Sequence, residues 1–233
     1  MKHVLFDGDL FCYRASSSSK GVTLEEKCSY LDKLLSYHLW EMQSFPIPDD
    51  YTIFLSGKRN FRHGVDPEYK ANRRGLKKPE HLSAIREYIS NRYNTVTTDG
   101  YEADDGIVIK AYELGLDNVI IVSSDKDFKQ VPTTIYNTYH NEMTTVTEEE
   151  ANLNFYTQML VGDSIDNIKG LPGIGPKKAA KILGDVRDED TLYLTAIMEY
   201  KDKYGDTWNS EWFKVYNCVK LLTEEPNSED ILG

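Results

Sequence analysis

Tyr101-Glu102-Ala103-Asp104-Asp105 places three carboxylates within four residues. Ile107, Val108, Ala111, Tyr112 and Leu114 follow at helical spacing, so the acids fall in the first turn of a helix. Acids are favourable there because the first N–H groups are unpaired and the helix dipole is positive, and one or two would need no further reason. Three repel one another: at an effective dielectric near 20, two such charges ~5 Å apart cost roughly 3 kcal/mol. Solvation or a bound cation must offset that cost. The function of the cluster therefore turns on which other acids the chain brings to it.

Two candidates lie at strand ends. Val4-Leu5-Phe6 reads as a buried strand closed by Asp7-Gly8-Asp9. Asn118-Val119-Ile120-Ile121-Val122 is apolar throughout, as in a sheet covered on both faces, and ends in Ser123-Ser124-Asp125-Lys126-Asp127. Tyr51–Leu55 is a further strand, with extended pieces near 94–98, 134–137 and 143–147. Helices are expected at 10–17, 24–44, 80–92, 102–114, 148–161, 190–204 and 210–222. This alternation argues for an α/β fold, a central mostly parallel sheet flanked by helices. Ligands of such sheets gather beyond the carboxyl ends of the strands, so Asp7 and Asp125 point to one rim, with Asp127 beside Asp125 in a turn. Leu31, Leu34, Leu35, His38, Leu39 and Met42 share a helix face, on which His38 is read as a satisfied core or boundary histidine. Trp208, Trp212 and Phe213 are read as core, and the acidic tail after Glu224 as loose.

The 233 residues, 40% of them hydrophobic, suffice for one large domain or a domain with a small appendage. A net charge of −11 argues at first against a nucleic-acid partner. The basic residues, however, are concentrated. Between 58 and 78, Lys58, Arg59, Arg62, Lys70, Arg73, Arg74, Lys77 and Lys78 face only Asp66 and Glu68, eight against two, or about +6, with Phe61 and Tyr69 interleaved. That is the composition of a phosphate-tracking patch. Cys12, Cys28 and Cys218 are odd in number and widely spaced, which suits reduced thiols. No run is long enough for a signal peptide or a membrane span, so a soluble, cytoplasmic protein with no membrane partner is expected.

From Gly162 the chain changes in kind. Gly162-Asp163-Ser164-Ile165-Asp166-Asn167 leads through Gly170, Gly173 and Gly175 into a helix of small and basic residues. No strand and no full G-x-G-x-x-G precede it, which excludes a dinucleotide fingerprint, and Gly175-Pro176-Lys177-Lys178 is not the Gly-Lys-Ser/Thr of a P-loop. What remains is a helix–hairpin–helix. Gly173 and Gly175 allow the backbone to approach phosphates, and the N–H groups opening the helix at Pro176–Ala179 face an anion beside Lys177 and Lys178. Such an element grips a backbone without reading bases.

These pieces together resemble the 5′→3′ exonuclease and flap endonuclease family, in particular its short bacteriophage members. The resemblance covers about residues 3–185. It rests on Phe6-Asp7-Gly8-Asp9, on Asn60-Phe61-Arg62 through Pro67-Glu68-Tyr69-Lys70-Ala71-Asn72-Arg73, on Glu102-Ala103-Asp104-Asp105, on Ser124-Asp125-Lys126-Asp127 and on Gly162–Asn167 through Gly175. It implies a PIN/5′-nuclease-like core over 1–147, including the basic segment 58–78, and a helical helix–hairpin–helix part over 148–233. It implies metal-binding roles for Asp7, Glu102, Asp104, Asp105, Asp125, Asp127, Asp163 and Asp166, and roles for Lys70 and Arg73 on the substrate phosphate. Lys58, Arg62, Tyr69, Gly173, Gly175, Lys177 and Lys178 are expected on the DNA, with a monovalent cation such as K⁺ at the hairpin. Two features depart from the family. Phe54-Leu55-Ser56-Gly57-Lys58 lacks the acid that relatives carry after the second strand, so either Asp9 partly substitutes or one metal is held more weakly. The segment from Arg73 to Glu102 is short compared with members that thread a strand through a helical arch.

The residues also constrain the chemistry directly. Clustered carboxylates without Cys or His suit Mg²⁺ or Mn²⁺ rather than zinc, and His63 and His140 stand apart as surface residues. Two ions ~4 Å apart would serve phosphodiester hydrolysis. No Ser-His-Asp or Cys-His set suggests a covalent intermediate. The expectation is a monomeric, divalent-metal-dependent 5′→3′ exonuclease acting on duplex DNA with a 5′ end, nick or flap, with RNA–DNA hybrid as a further substrate. A non-catalytic binder of branched or nicked DNA and a small ribonuclease of the related fold class are the alternatives.

Overall fold

In the computed structural model, residues 2–41 and 51–226 are described. Strand β1 (His3–Asp7) runs into α1 (Gly8–Ser17) and α2 (Leu24–Glu41); β2 (Tyr51–Leu55), α3 (Arg62–Val65), α4 (Leu82–Arg92) and β3 (Thr95–Thr97) follow. Then come α5 (Ala103–Leu114), β4 (Val119–Val122), β5 (Thr134–Asn137), β6 (Glu142–Thr145) and α6 (Glu148–Val161). A two-stranded ribbon of β7 (Gly162–Asp163) and β8 (Ile168–Lys169) leads to α7 (Pro176–Leu183), α8 (Glu189–Tyr204) and α9 (Trp208–Val219).

The main sheet has the order β3-β2-β1-β4-β5-β6, with every pair parallel except β5–β6. The chain builds outward from β1 to β3 on one side, then restarts at β4 on the other. The strand order therefore reverses between β1 and β4, which is where a crevice opens at the carboxyl end of a sheet of this kind. Phe6 pairs with Val122, so Asp7 and Ser123 emerge side by side at that reversal.

Strand side chains alternate between two cores. Val4, Phe6, Ile53, Leu55, Ile120 and Val122 pack with α1, α2 and α4, whereas Leu5, Phe54, Val119 and Ile121 pack with α5. A third cluster joins α6, α7, α8 and α9, and Tyr69 of the basic segment is buried in it. That segment thus bridges sheet and helices. Lys70 takes left-handed backbone angles (φ 53°) with its N–H on Asp166 O at 2.8 Å, and Asn72 Nδ2 donates to Ser164 O and Ile165 O, each at 3.1 Å.

Three expectations are corrected. Phe213 is 60% exposed, while Trp212 is buried as expected. The last helix stops at Val219 rather than 222, because Lys220 O accepts from Arg62 and Leu222 N donates to Asp105, which draws the backbone out of helical geometry. His38 lies in the core at 1% exposure but is not satisfied: neither ring nitrogen has a hydrogen-bond partner among the described residues, and Phe11, Tyr37 and Tyr136 surround it edge-on. Met42 and the tail beyond residue 226 lie outside the described residues.

His38 yields a pH prediction. Burial, with a smaller repulsion from Arg14, pushes its pKa down to about 4 from an ordinary 6.5. The unfolded chain takes up a proton below pH 6.5 and the folded one does not until about pH 4, so the stability is whole above 6.5 and declines as pH falls between these values. The loss is on the order of 3 kcal/mol. In urea titrations across this window, His38→Phe should flatten the decline; an unchanged slope would remove His38 as its source.

Candidate active site

Asp7 ends β1 and caps α1: its Oδ1 accepts from Leu10 N at 3.0 Å, and its Oδ2 accepts from Ser123 Oγ at 2.7 Å. The same Ser123 Oγ accepts from Asp125 N at 3.0 Å, and Asp125 Oδ1 accepts from Asp127 N at 2.9 Å. One serine thus ties the β1 acid to the acids after β4. Gln158 of α6 donates to Asp127 Oδ1 at 2.5 Å, fixing that carboxylate from the helical side. Glu102, at the N-cap of α5, takes Lys70 Nζ on Oε1 at 2.5 Å and Tyr69 OH on Oε2 at 2.7 Å.

Asp163 and Asp166 come from the ribbon after α6. Asp163 is 5% exposed, with Oδ1 on Ile165 N at 2.8 Å and Oδ2 against Lys126 Nζ at 2.7 Å. Asp166 takes Arg73 on one oxygen and Lys70, at 3.3 Å, on the other. Gly162 makes the approach possible: its φ is +74°, and a Cβ there would stand 2.3 Å from Gly170 N and Ile168 O.

The result is one cleft of about 490 Å³ lined by Asp7, Glu102, Asp104, Asp125, Asp127, Asp163 and Asp166, with Lys70 and Arg73 on its wall. Seven of the eight carboxylates singled out in the sequence meet there. Asp105 does not. It is fully buried, gripped by Arg62 through two bonds of 2.6 and 2.8 Å, and faces away from the cleft because it accepts from Glu102 N and Leu222 N. Arg62 is likewise no surface cation: at 2% exposure it also donates to Cys218 O and Lys220 O. Tyr69 is 2% exposed, its hydroxyl on Glu102 and Asp166, so it orders the site from within rather than meeting a partner.

Lys58, Lys177 and Lys178 are exposed. Gly173 (φ +80°) and Gly175 have nothing within 4 Å of where a Cβ would stand, so their backbone is open. The N–H groups opening α7 are fewer than the sequence suggests. Lys178 N and Ala179 N close back onto Gly175 O at 3.0 and 2.9 Å, and proline has none, which leaves Lys177 N–H. His63 and His140 are exposed and outside the cleft.

Carboxylates outnumber cations in the cleft, and their charged forms respond to that imbalance. Burial, followed by Asp125, raises Asp127 to about 6. Burial also lifts Asp7 to about 6, against its bonds from Leu10 and Ser123. Asp104 is driven well above the carboxylate range, first by burial and then by Asp7, Asp125 and Glu102. Glu102 goes the other way: burial pushes it up, but Lys70 and Arg62 hold it below its ordinary value. Lys126 is raised overall, its burial outweighed by Asp163. Among the described residues no group of three or more acidic, histidine or cysteine side chains is already drawn together to hold a metal ion. The donors facing the cleft are carboxylate oxygens, the ligand type of hard divalent cations, which complete their shells with water.

Two cleft residues carried no weight in the sequence, Lys126 and Ser56; Asp9, the acid read there as a partial substitute, also lines the cleft, and Arg86 beside the cleft holds it. Asp9 accepts from Ser56 N at 3.0 Å and from Arg86, which also donates to Ser56 O. Asp9 thus lines the cleft beside Ser56, just after the second strand, where that strand offers no acid.

Comparison with known proteins agrees with this arrangement. The family described as "5′-3′ exonuclease, N-terminal resolvase-like domain" matches residues 2–156. Flap endonuclease Xni of Shewanella pealeana is 31% identical over 218 residues, covering 85% of this chain and 81% of that protein. DNA polymerase I of Rhizobium leguminosarum is 34% identical over 203 residues, covering 77% of this chain; the chain spans only 19% of the polymerase. The bacteriophage T5 5′-exonuclease, solved with divalent metal ions (zinc) bound, shares the fold at a TM-score of 0.61 with 17% identity, over 94% of this chain and 100% of that one. The sheet-and-helix architecture, the convergent acids and these matches lead to one assignment: the chain belongs to the 5′-3′ exonuclease N-terminal resolvase-like domain family.

Proposed function

We propose that this protein is a divalent-metal-dependent 5′→3′ exonuclease that hydrolyses phosphodiester bonds of DNA, with 5′-flap cleavage within its range. The observation that carries this reading is the convergence of acids from β1, α5, the turn after β4 and the ribbon after α6 on one cleft whose wall bears Lys70 and Arg73. The named nuclease relatives support it.

Asp7, Asp104, Asp125 and Asp127 are the residues assigned to hold Mg²⁺ or Mn²⁺, two ions in all, with Glu102, Asp163 and Asp166 around them. Bound there, the ions supply Lewis acidity that favours attack of water at neutral pH and stabilises charge on attacking and leaving oxygens. Lys70 and Arg73 place positive charge where the phosphate becomes more negative. Tyr69 and Gln158 fix the acids, so little reorganisation is needed when substrate arrives. Duplex DNA would lie along the exposed basic residues of 58–78 and the open backbone at Gly173–Gly175, with Lys177 and Lys178 on its phosphates and K⁺ as the cation suited to the hairpin. The protein acts as a monomer on a 5′ end, nick or flap, in the cytoplasm.

A cleavage panel tests the reading: blunt duplex, nicked duplex, 5′ flap and RNA–DNA hybrid, all 5′-labelled, each with Mg²⁺, Mn²⁺ or chelator. Release of labelled product with either metal and none with chelator is expected. Metal-independent binding to nicked DNA without turnover on any substrate would overturn it.

A further inference from the structure

Lys126 sits between Asp125 and Asp127, yet its ion pair is with neither. It crosses the cleft and places Nζ 2.7 Å from Asp163 Oδ2, on the ribbon after α6. Asp163 is 5% exposed, whereas the Lys126 side chain is 50% exposed. The bond therefore joins a fixed acid to a cation with half its surface in solvent and room to move. Such pairs contribute little to stability.

The other cleft cations are placed differently. Lys70 and Arg73 rise from the basic segment and both reach Asp166, with Lys70 also on Glu102. The segment's own bonds, Lys70 N to Asp166 O and Asn72 Nδ2 to Ser164 O and Ile165 O, hold their backbone against the ribbon. Lys126 alone among the cleft's lining cations comes from the β4 side. It is thus the one that stands across the acids from Lys70 and Arg73.

We propose that Lys126 is an exchangeable counterion: it neutralises Asp163 while the cleft lacks divalent ions, and on their binding it leaves Asp163 and takes a phosphate of the DNA. This rests on the nuclease reading above and extends it to a residue with no assigned role. A divalent ion brings two positive charges to the acids as the ammonium, with one, leaves Asp163, and the ammonium then displaces one monovalent counterion of the nucleic acid. Metal loading and substrate grip are then coupled through one side chain. A plain structural tie would behave in the opposite way, since losing it would loosen the ribbon and weaken metal binding.

Lys126→Met and Lys126→Arg distinguish these roles. Mn²⁺ binding is measured by calorimetry without DNA, and cleavage of a 5′-labelled duplex is followed over a range of salt. For Lys126→Met, Mn²⁺ should bind about threefold to tenfold more tightly, because a competing cation is gone. In the same variant kcat/KM should fall about tenfold or more, and the slope of its logarithm against log salt should lose about one, the mark of one phosphate contact removed. Lys126→Arg should retain the salt slope. Unchanged or weaker Mn²⁺ binding in Lys126→Met, or an unchanged salt slope, overturns the exchange while leaving the nuclease reading intact. A wild-type protein that neither binds Mn²⁺ nor cleaves overturns both.

Discussion

Asp104→Asn should reduce kcat for hydrolysis of a 5′-labelled duplex by about a hundredfold to a thousandfold, while making the metal-free protein more stable. The two effects have one cause. The carboxylate is strongly disfavoured, first by burial and then by Asp7, Asp125 and Glu102, and Lys70 offsets this only in part. An amide of the same shape removes that repulsion and also removes a charged oxygen ligand. Relief of about 1–2 kcal/mol corresponds to a rise of roughly 2–8 °C in Tm for a chain of this size. Calorimetry in chelator and single-turnover cleavage in Mn²⁺ supply the two readings. Asp127→Asn should move both in the same direction, with a smaller gain in Tm, since its charged form is partly supported by Gln158. An Asp104→Asn protein that is fully active, or less stable in chelator, would remove Asp104 from the reaction centre.

The same charge balance explains how a chain of net −11 can be suited to phosphate. Much of the negative charge lies in one cleft, where Lys70, Arg73 and Lys126 already serve as counterions. Positive charge meant for a partner lies outside it, at Lys58 and at Lys177 and Lys178, all exposed. Sum and distribution therefore give opposite impressions, and the distribution decides, because exposed charges act over about a Debye length of 8–10 Å.

What was legible in the sequence followed from short-range physics. An apolar run closed by acids marks a strand entering a loop, and this located Asp7 and Asp125 on one rim without any knowledge of strand order. The reversal between β1 and β4 then makes them neighbours through Ser123. What escaped was the direction of side chains one residue apart. Asp104 and Asp105 are adjacent on a helix and so point about 100° apart, which sends one to the cleft and the other to Arg62. Composition could not sort the basic segment either. Arg62 and Tyr69 look like Lys58 in a sequence, but their partners, Asp105, Cys218 and Lys220 for Arg62 and Glu102 and Asp166 for Tyr69, lie 33 to 158 residues away. His38 shows the same limit from the other side: helical spacing put it in the core, and nothing local told that the core would offer its nitrogens no partner.

Arg62→Met is the substitution with the largest expected effect on stability. The guanidinium is 2% exposed and bonded to both oxygens of Asp105, to Cys218 O at 3.2 Å and to Lys220 O at 2.9 Å. It joins α3, the start of α5 and the segment after α9, three parts of the chain with no other common tie of this kind among the described residues. Methionine fills much of the space but leaves a fully buried carboxylate without its cation, and breaking such a pair costs about 3–5 kcal/mol. Denaturant titration should show this loss, with Tm falling by roughly 6–20 °C. Arg62→Lys should recover only part of it, since an ammonium cannot span two carboxylate oxygens and two carbonyls in a planar fork. Arg62→Met combined with Asp105→Leu should be less destabilised than Arg62→Met alone, because no unpaired charge is then buried. Below its melting range the Arg62→Met protein should still cleave within about threefold of wild type. Glu102 loses the Arg62 contact at 3.9 Å but keeps Lys70 and Tyr69 as bonded partners. A loss under 1 kcal/mol, or a double variant worse than the single, would show that the hub is held by packing rather than by this ion pair.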